Sequence, residues 1–159
     1  MKAIYISVII LSLIVIMLQC RFCLASDYEA WLKACEPYRV QVVDILVSEG
    51  VSEDYYYLMI AESRCKDGAK SSAGAVGYWQ LMPATARHYD CSEPHDLECA
   101  TKAAARYLRS LSSRFNSWNR IIQAYNQGGH NLMRNGASAE AIGLLKRVNA
   151  IRDIDKARK

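Results

Sequence analysis

The hydrophobic positions of this chain form one unbroken run followed by a series of helix-spaced stripes. After Lys2, residues 3–18 are almost uninterruptedly apolar. Such a run is long for the core of an export signal and short for a spanning helix. Downstream, apolar residues recur at three, four and seven positions, the spacing of one helix face. Ser26 is placed to cap a helix over "DYEAWLKACE", and Pro37 to open a second that ends at Gly50. Ser52 starts a third, with Glu53 and Asp54 in the first turn, where the helix dipole favours negative charge. Pro83 opens a short helix through "ATARHY". Asp96 or Glu98 opens a long one, with Ala104, Leu108 and Leu111 on one face, that runs to about Phe115. Residues 118–126 form another, stopped by "QGG", and a last segment from Ser138 carries Ile142, Leu145 and Val148 ahead of the charged tail "RDIDKARK". No strand pair is predicted, only a short irregular extended piece between Lys66 and Gly77. The fold class is all-α.

Cys23-Leu24-Ala25 supplies a small-x-small cleavage pattern, so residues 1–25 read as a signal peptide and 26–159 as the mature domain. Two alternatives are a lipoprotein-type site at Leu18-Gln19-Cys20 and an uncleaved anchor. All three place the remainder outside the cytoplasm. The 134 residues that remain suit one domain with a single core, with no repeat or linker to divide it, and a monomer is expected. Lys2 and Arg21 leave with the leader, so the formal charge of +4 falls to +2. There is no basic stripe with interleaved aromatics, which argues against nucleic acid as a partner.

Six cysteines become four: Cys35, Cys65, Cys91 and Cys99. In an exported domain an even count reads as two disulfides, with three possible connectivities. A short Cys91–Cys99 loop around Pro94 would leave Cys35 to pair with Cys65. The competing reading is a metal site built from His88, Cys91, His95 and Cys99, but Pro94 interrupts any single helix that would present them, and no metal is expected.

Candidate chemistry begins at Glu62. Tyr55, Leu58 and Met59 precede it on the same helix face, so its carboxyl group lies at the end of an apolar stripe. Desolvation disfavours the charged form, and the negative end of the helix dipole opposes ionisation further. Both effects favour a proton-bearing acid near neutral pH, as protonation of a leaving oxygen requires. The competing reading is a buried glutamate paired with Arg64 or Arg87. A glycine-rich loop follows (Gly68, Gly74, Gly77) that also carries Ser71, Ser72 and Gln80, with Trp79 available to stack on sugar faces. Trp31, Trp118 and Tyr107 read as core aromatics. "AYNQGG", residues 124–129, is a second polar cluster, with Gly128 as a helix stop.

Four motifs occur in one order: Glu62-Ser63, "AxSxAGAxG" over residues 69–77, "Q-x-MPxTA" over 80–86, and "AYNxG" over 124–128. Together they resemble the lytic transglycosylases, bacterial enzymes with a goose-lysozyme-like helical domain that cleave the glycan strands of peptidoglycan. The resemblance covers roughly residues 51–151. It implies a lysozyme-like groove with Glu62 as the single catalytic acid/base. Ser71 and Gln80 would contact the substrate and the acid, Met82 would form a wall of the groove, Tyr125 would lie beside the reacting sugar, and Asn126 would be its structural partner. The chain departs from the family in three places. Gly77-Tyr78-Trp79-Gln80 stands where Gly-Leu-Met-Gln is usual, Cys65 replaces an aromatic, and Ala100 replaces an asparagine.

Most glycosidases use two carboxylates, with substrate-assisted enzymes among the exceptions. The resemblance implies that one suffices here. The 2-acetamido group of the muramyl sugar would assist departure of its neighbour, and the 6-hydroxyl of the same sugar would then close a 1,6-anhydro ring. No cofactor is implied. Two alternatives are a hydrolytic muramidase and a non-catalytic glycan-binding or scaffold protein on the same fold. Small exported members of this kind serve secretion, conjugation or pilus machines, so an envelope-spanning complex is an expected partner.

Overall fold

The computed structural model describes residues 2–158, with side chains described at 10–17, 19 and 25–158. Eight α-helices form among the described residues: α1 (Lys2–Cys35), α2 (Arg39–Ser48), α3 (Tyr56–Ser63), α4 (Pro83–His88), α5 (Leu97–Ser112), α6 (Trp118–Gln127), α7 (Gly129–Asn135) and α8 (Ala139–Ala157). Two isolated bridges, Lys70 with Val76 and Val76 with Leu81, give the expected extended piece in the loop before α4.

Short helix α3 is the centre of the molecule. Every residue from Tyr56 to Ala61 is buried, as is Ser63. A helix apolar on all sides belongs inside a core. Leu58, Met59 and Ile60 are fully buried, each contributing about 1.5–3 kcal/mol by leaving water. Helices α1, α2 and α8 pack against α3, and α6 packs against α8.

One polar network and two disulfides fix this frame. Asp155, near the end of α8, accepts from Arg39 Nη2 at 3.0 Å and from the Tyr57 hydroxyl at 2.8 Å. The guanidinium also lies 4.6 Å over the Tyr56 ring. Cys35 is bonded to Cys65 and Cys91 to Cys99. The first bridge ties the end of α1 to the residue two past the end of α3, and closing a loop of that size contributes about 3–4 kcal/mol in the chain-entropy account.

Most caps follow the sequence. Ser52, Asp96 and Ser138 each accept a backbone N–H at a helix start. Two features differ from expectation, at Ser26 and in the charged tail. Ser26 caps nothing, because α1 runs through it from Lys2; the i→i+4 ladder simply continues where no proline or glycine interrupts it. The QGG segment does stop α6, with Gly128 turning the chain at φ +82°, and α7 starts at once. Helix α8 also continues through the charged tail, since Ile151 and Asp155 are buried on its inner face.

The loop between α3 and α4 is held by close backbone approach. Gly77, at φ +75°, donates to the Ala69 carbonyl at 2.9 Å, and a Cβ there would lie 2.0 Å from the Pro94 carbonyl oxygen. Replacing Gly77 by Ala is therefore expected to cost about 2–4 kcal/mol, because backbone must move as well as accept a strained φ. Urea unfolding of the two proteins measures this, and an unchanged midpoint would refute the contact.

Candidate active site

Glu62 is half-buried, where every other residue of α3 is buried. The helix ends immediately after it, with Arg64 and Cys65 both left-handed at φ +56° and +58°. Ser63 makes that turn possible. Its hydroxyl donates to the Met59 carbonyl at 3.3 Å and accepts from the Cys65 N–H at 3.1 Å, so two backbone groups at the helix end are satisfied by one side chain. The adjacency of Glu62 and Ser63 thus has a mechanical reason.

The carboxyl group opens into a cleft of about 380 Å³ lined by the 71–85 segment on one side and by α6 and the start of α8 on the other. All six residues singled out from the sequence, Glu62, Ser71, Gln80, Met82, Tyr125 and Asn126, line this one cleft. Burial is the main cause that pushes the Glu62 carboxyl up to about 7; Arg147 opposes the shift and Glu140 adds to it. Neither arginine considered as a partner from the sequence pairs with it. Arg64 turns away and lies 4.4 Å over the Trp31 ring, and Arg87 forms no ion pair with Glu62 among the described residues.

The loop is wired to itself. Ser71 accepts from the Ala75 N–H through Oγ at 3.0 Å and donates its own N–H to the Ala75 carbonyl at 2.9 Å. Its hydroxyl proton stays available to the cleft. Gln80 sits at φ +47°, and its amide nitrogen donates to the Ala69 and Gly77 carbonyls at 3.1 and 3.0 Å. Both amide hydrogens are therefore engaged, leaving the carbonyl oxygen as its acceptor toward the cleft. The Tyr125 hydroxyl donates to the Trp79 carbonyl at 2.8 Å, fastening α6 to the loop. Burial, and then the charge of Glu62, drive that phenol well above its ordinary pKa. Met82 is 44% exposed and forms an apolar rim.

Several residues fall elsewhere than expected. Trp79 is no stacking platform: it is fully buried, with its indole N–H donating to Thr101 Oγ1 at 2.9 Å. Tyr107 lies on the wall of the cleft, with its hydroxyl donating to the Ala124 carbonyl at 3.3 Å. Thr85, Gln127 and Glu140 also line the cleft and were not anticipated. Glu140 carries no local signal, because it lies on another helix, 78 residues downstream of Glu62.

The raised affinity of Glu62 for its proton has a thermodynamic consequence. Its folded pKa of about 7 lies above the ordinary 4.5. The folded state therefore binds more protons than the unfolded state between those values, and stability falls as pH rises through that window. Glu62→Gln removes the titration. The variant is expected to match the wild type in thermal unfolding at pH 4 and to exceed it at pH 8 by on the order of 2 kcal/mol. A stability difference independent of pH would rule this out.

Residues 48–144 match the family model described as the Transglycosylase SLT domain. Membrane-bound lytic murein transglycosylase D of Escherichia coli, from strain K12 and from strain O6:H1 CFT073, is 28% identical over 106 residues, covering 62% of this chain and 24% of the relative. A protein named for tributyltin chloride resistance in Alteromonas sp. (strain M-1) is 28% identical over 113 residues, covering 65% of this chain and 55% of that one. The chain thus spans about a quarter of the first relative and about half of the other. Because the family match takes in more than half of the chain and every residue lining the cleft, this chain belongs to the SLT transglycosylase domain family.

Proposed function

We propose that this domain is a peptidoglycan lytic transglycosylase that cleaves the β-1,4 bond between N-acetylmuramic acid and N-acetylglucosamine. What carries this reading is the Glu62 carboxyl, which burial pushes up to about 7, facing a cleft whose other lining side chains are uncharged apart from Glu140. A neutral carboxylic acid facing the groove suits the first step, transfer of its proton to the bridging oxygen as that bond to the muramyl anomeric carbon breaks. The acetamido oxygen of the same sugar holds the resulting positive charge. Glu62, now a carboxylate, takes the proton of the 6-hydroxyl as its oxygen bonds to the anomeric carbon. Glu62 is then acid again and water has not been consumed.

Ser71, with its free hydroxyl proton, and the carbonyl of Gln80 are the polar groups that orient the sugar. Tyr125 and Met82 supply the apolar walls, and Asn126 lines the cleft beside Tyr125. A second reading, hydrolysis of the same bond, is favoured by one observation. Glu140 brings a second carboxylate to the cleft, and a hydrolase of the two-carboxylate type needs one.

Residues 1–25 serve, in this reading, as an export signal. The described apolar side chains at Ile10, Leu11 and 13–17 are all exposed, whereas Leu32 and Cys35 farther along α1 are buried against the domain. Among the described residues no helix is long and apolar enough to cross a membrane. Export brings the domain to the periplasm or envelope, where the disulfides are stable, and local opening of the wall for a secretion, conjugation or pilus complex is its proposed task.

Digestion of purified sacculi tests this, with products read by mass spectrometry. Muropeptides one water lighter than hydrolysed ends are expected, with turnover reduced about 100-fold or more in Glu62→Gln. Hydrated reducing ends would assign hydrolysis instead, and bound sacculi without products would assign glycan binding alone.

A further inference from the structure

The segment between α4 and α5 is closed on itself. Its disulfide joins Cys91, just past the end of α4, to Cys99 in the first turn of α5. Both roots are fastened. The Cys91 N–H donates to the Ala86 carbonyl at 2.9 Å, and Asp96 Oδ1 accepts from the Cys99 N–H at 2.7 Å. From α5, Arg106 Nη1 reaches back to the Tyr89 carbonyl at 3.4 Å and to Asp90 Oδ2 at 3.1 Å. The Asp96 N–H donates to the Glu93 carbonyl at 2.9 Å, a turn that leaves Pro94 and His95 at the tip.

This tip lies against both ends of the 67–77 loop. The Pro94 carbonyl oxygen is 2.0 Å from where a Cβ on Gly77 would sit, and the His95 Cα is 3.6 Å from the same point. His95 Nδ1 hydrogen-bonds to the Asp67 carbonyl; a carbonyl only accepts, so Nδ1 carries the proton. Gly77 and Ala69 supply the two carbonyls that accept from Gln80 Nε2, and the Gly77 N–H donates to the Ala69 carbonyl at 2.9 Å. Gln80 lines the cleft from a left-handed backbone at φ +47°. That conformation is uncommon outside glycine and persists only where the surroundings hold it. Contacts therefore run unbroken from the disulfide, through Pro94 and His95, to the carbonyls that aim the Gln80 amide.

We propose that Pro94 and His95, braced by the Cys91–Cys99 bridge, are positioning residues for Gln80, so that this disulfide sets the geometry of the cleft as well as stabilising the fold. Its effect on turnover rests on the reading above. The two bridges differ in access. Cys35 and Cys65 are both buried and tie α1 to the end of α3. Cys91 is buried, but Cys99 is half-buried and lines a surface recess. A dithiol therefore meets the outer bridge first. Its thiolate attacks Cys99 Sγ and displaces the Cys91 thiolate, and its second sulfur then displaces Cys99. The products are two cysteine thiols and a cyclic disulfide of the reductant.

The experiment follows the Gln80 side-chain amide by NMR in 15N-labelled protein, its two N–H signals assigned by their loss in Gln80→Glu. Held on two carbonyls, these protons are displaced from the positions of a free amide. His95→Ala should move them toward the free positions while the backbone signals of α3 stay in place. His95→Asn, whose amide nitrogen can stand in for Nδ1, should return them most of the way. Reduction by dithiothreitol, with Cys35–Cys65 shown intact by alkylation and mass spectrometry, should move them further, and reoxidation should reverse it. On solubilised glycan strands, kcat should fall about 10-fold in His95→Ala and about 100-fold on reduction, with KM changed by less than about threefold. Cys91→Ala/Cys99→Ala should match the reduced protein; should it fail to fold, the His95 pair decides the point. Gln80 signals unmoved in both His95→Ala and the reduced protein would overturn the proposal. So would α3 signals that move along with them, which would make the tip a general support of the fold, or release of the Gln80 amide with turnover unchanged. If oxidised wild-type protein cleaves no glycan, the functional reading fails, while the NMR series still decides whether the tip positions Gln80.

Discussion

Everything in this site depends on withdrawing one carboxyl group from water without pairing it. An ionised carboxylate in a low-dielectric setting is costly, and a protein meets that cost by supplying a cation or by leaving the proton on. Here the proton stays on to about pH 7. Arg64, next to it in sequence but one, is held against Trp31 instead. An ion pair formed at Glu62 would lower its pKa and leave no acid for chemistry at neutral pH. On the proposed mechanism, the packing of α3 against α8 and the closure of the loop are functional requirements as much as structural ones.

The surrounding groups divide cleanly between holding and facing. The amide of Gln80, the hydroxyl of Tyr125 and the Oγ of Ser71 each bond to loop backbone. These bonds satisfy donors and acceptors that a glycine-rich segment leaves without regular secondary structure. What these anchored groups leave to the cleft is one hydroxyl proton, one amide carbonyl and a phenol ring, beside the Tyr107 ring, the Met82 thioether and the side chains of Thr85, Asn126 and Glu140. A cleft whose polar groups are already anchored loses little conformational freedom on binding, which is the physical meaning of preorganisation. The two disulfides and the Arg39–Asp155–Tyr57 network serve the same end at longer range, since they fix the helices from which the walls are built.

Much of this was legible along the chain. Helical periodicity gave most of the elements, and Ser52, Asp96 and Ser138 marked their starts because side-chain caps act within three residues of themselves. The end of α3, the glycine-dependent loop and the six cleft residues also declared themselves through local motifs. Expectation failed where a local rule met a tertiary or continuous alternative. Trp79 reads as a surface ring until Thr101, from a different helix, takes its N–H into the core. The charged tail reads as an end until Arg39 and Tyr57 receive Asp155.

Sequence by itself determined the all-α class, the cysteine count, the order of motifs and the place of Glu62 at the end of an apolar stripe. These depend on spacing over a few residues, where geometry is set by the helix. Tertiary structure alone decided which second carboxylate shares the cleft with that acid. Glu140 lies 78 positions from Glu62, and nothing in its neighbourhood marks it, because the packing of helices, rather than order along the chain, decides which side chains meet in a cleft.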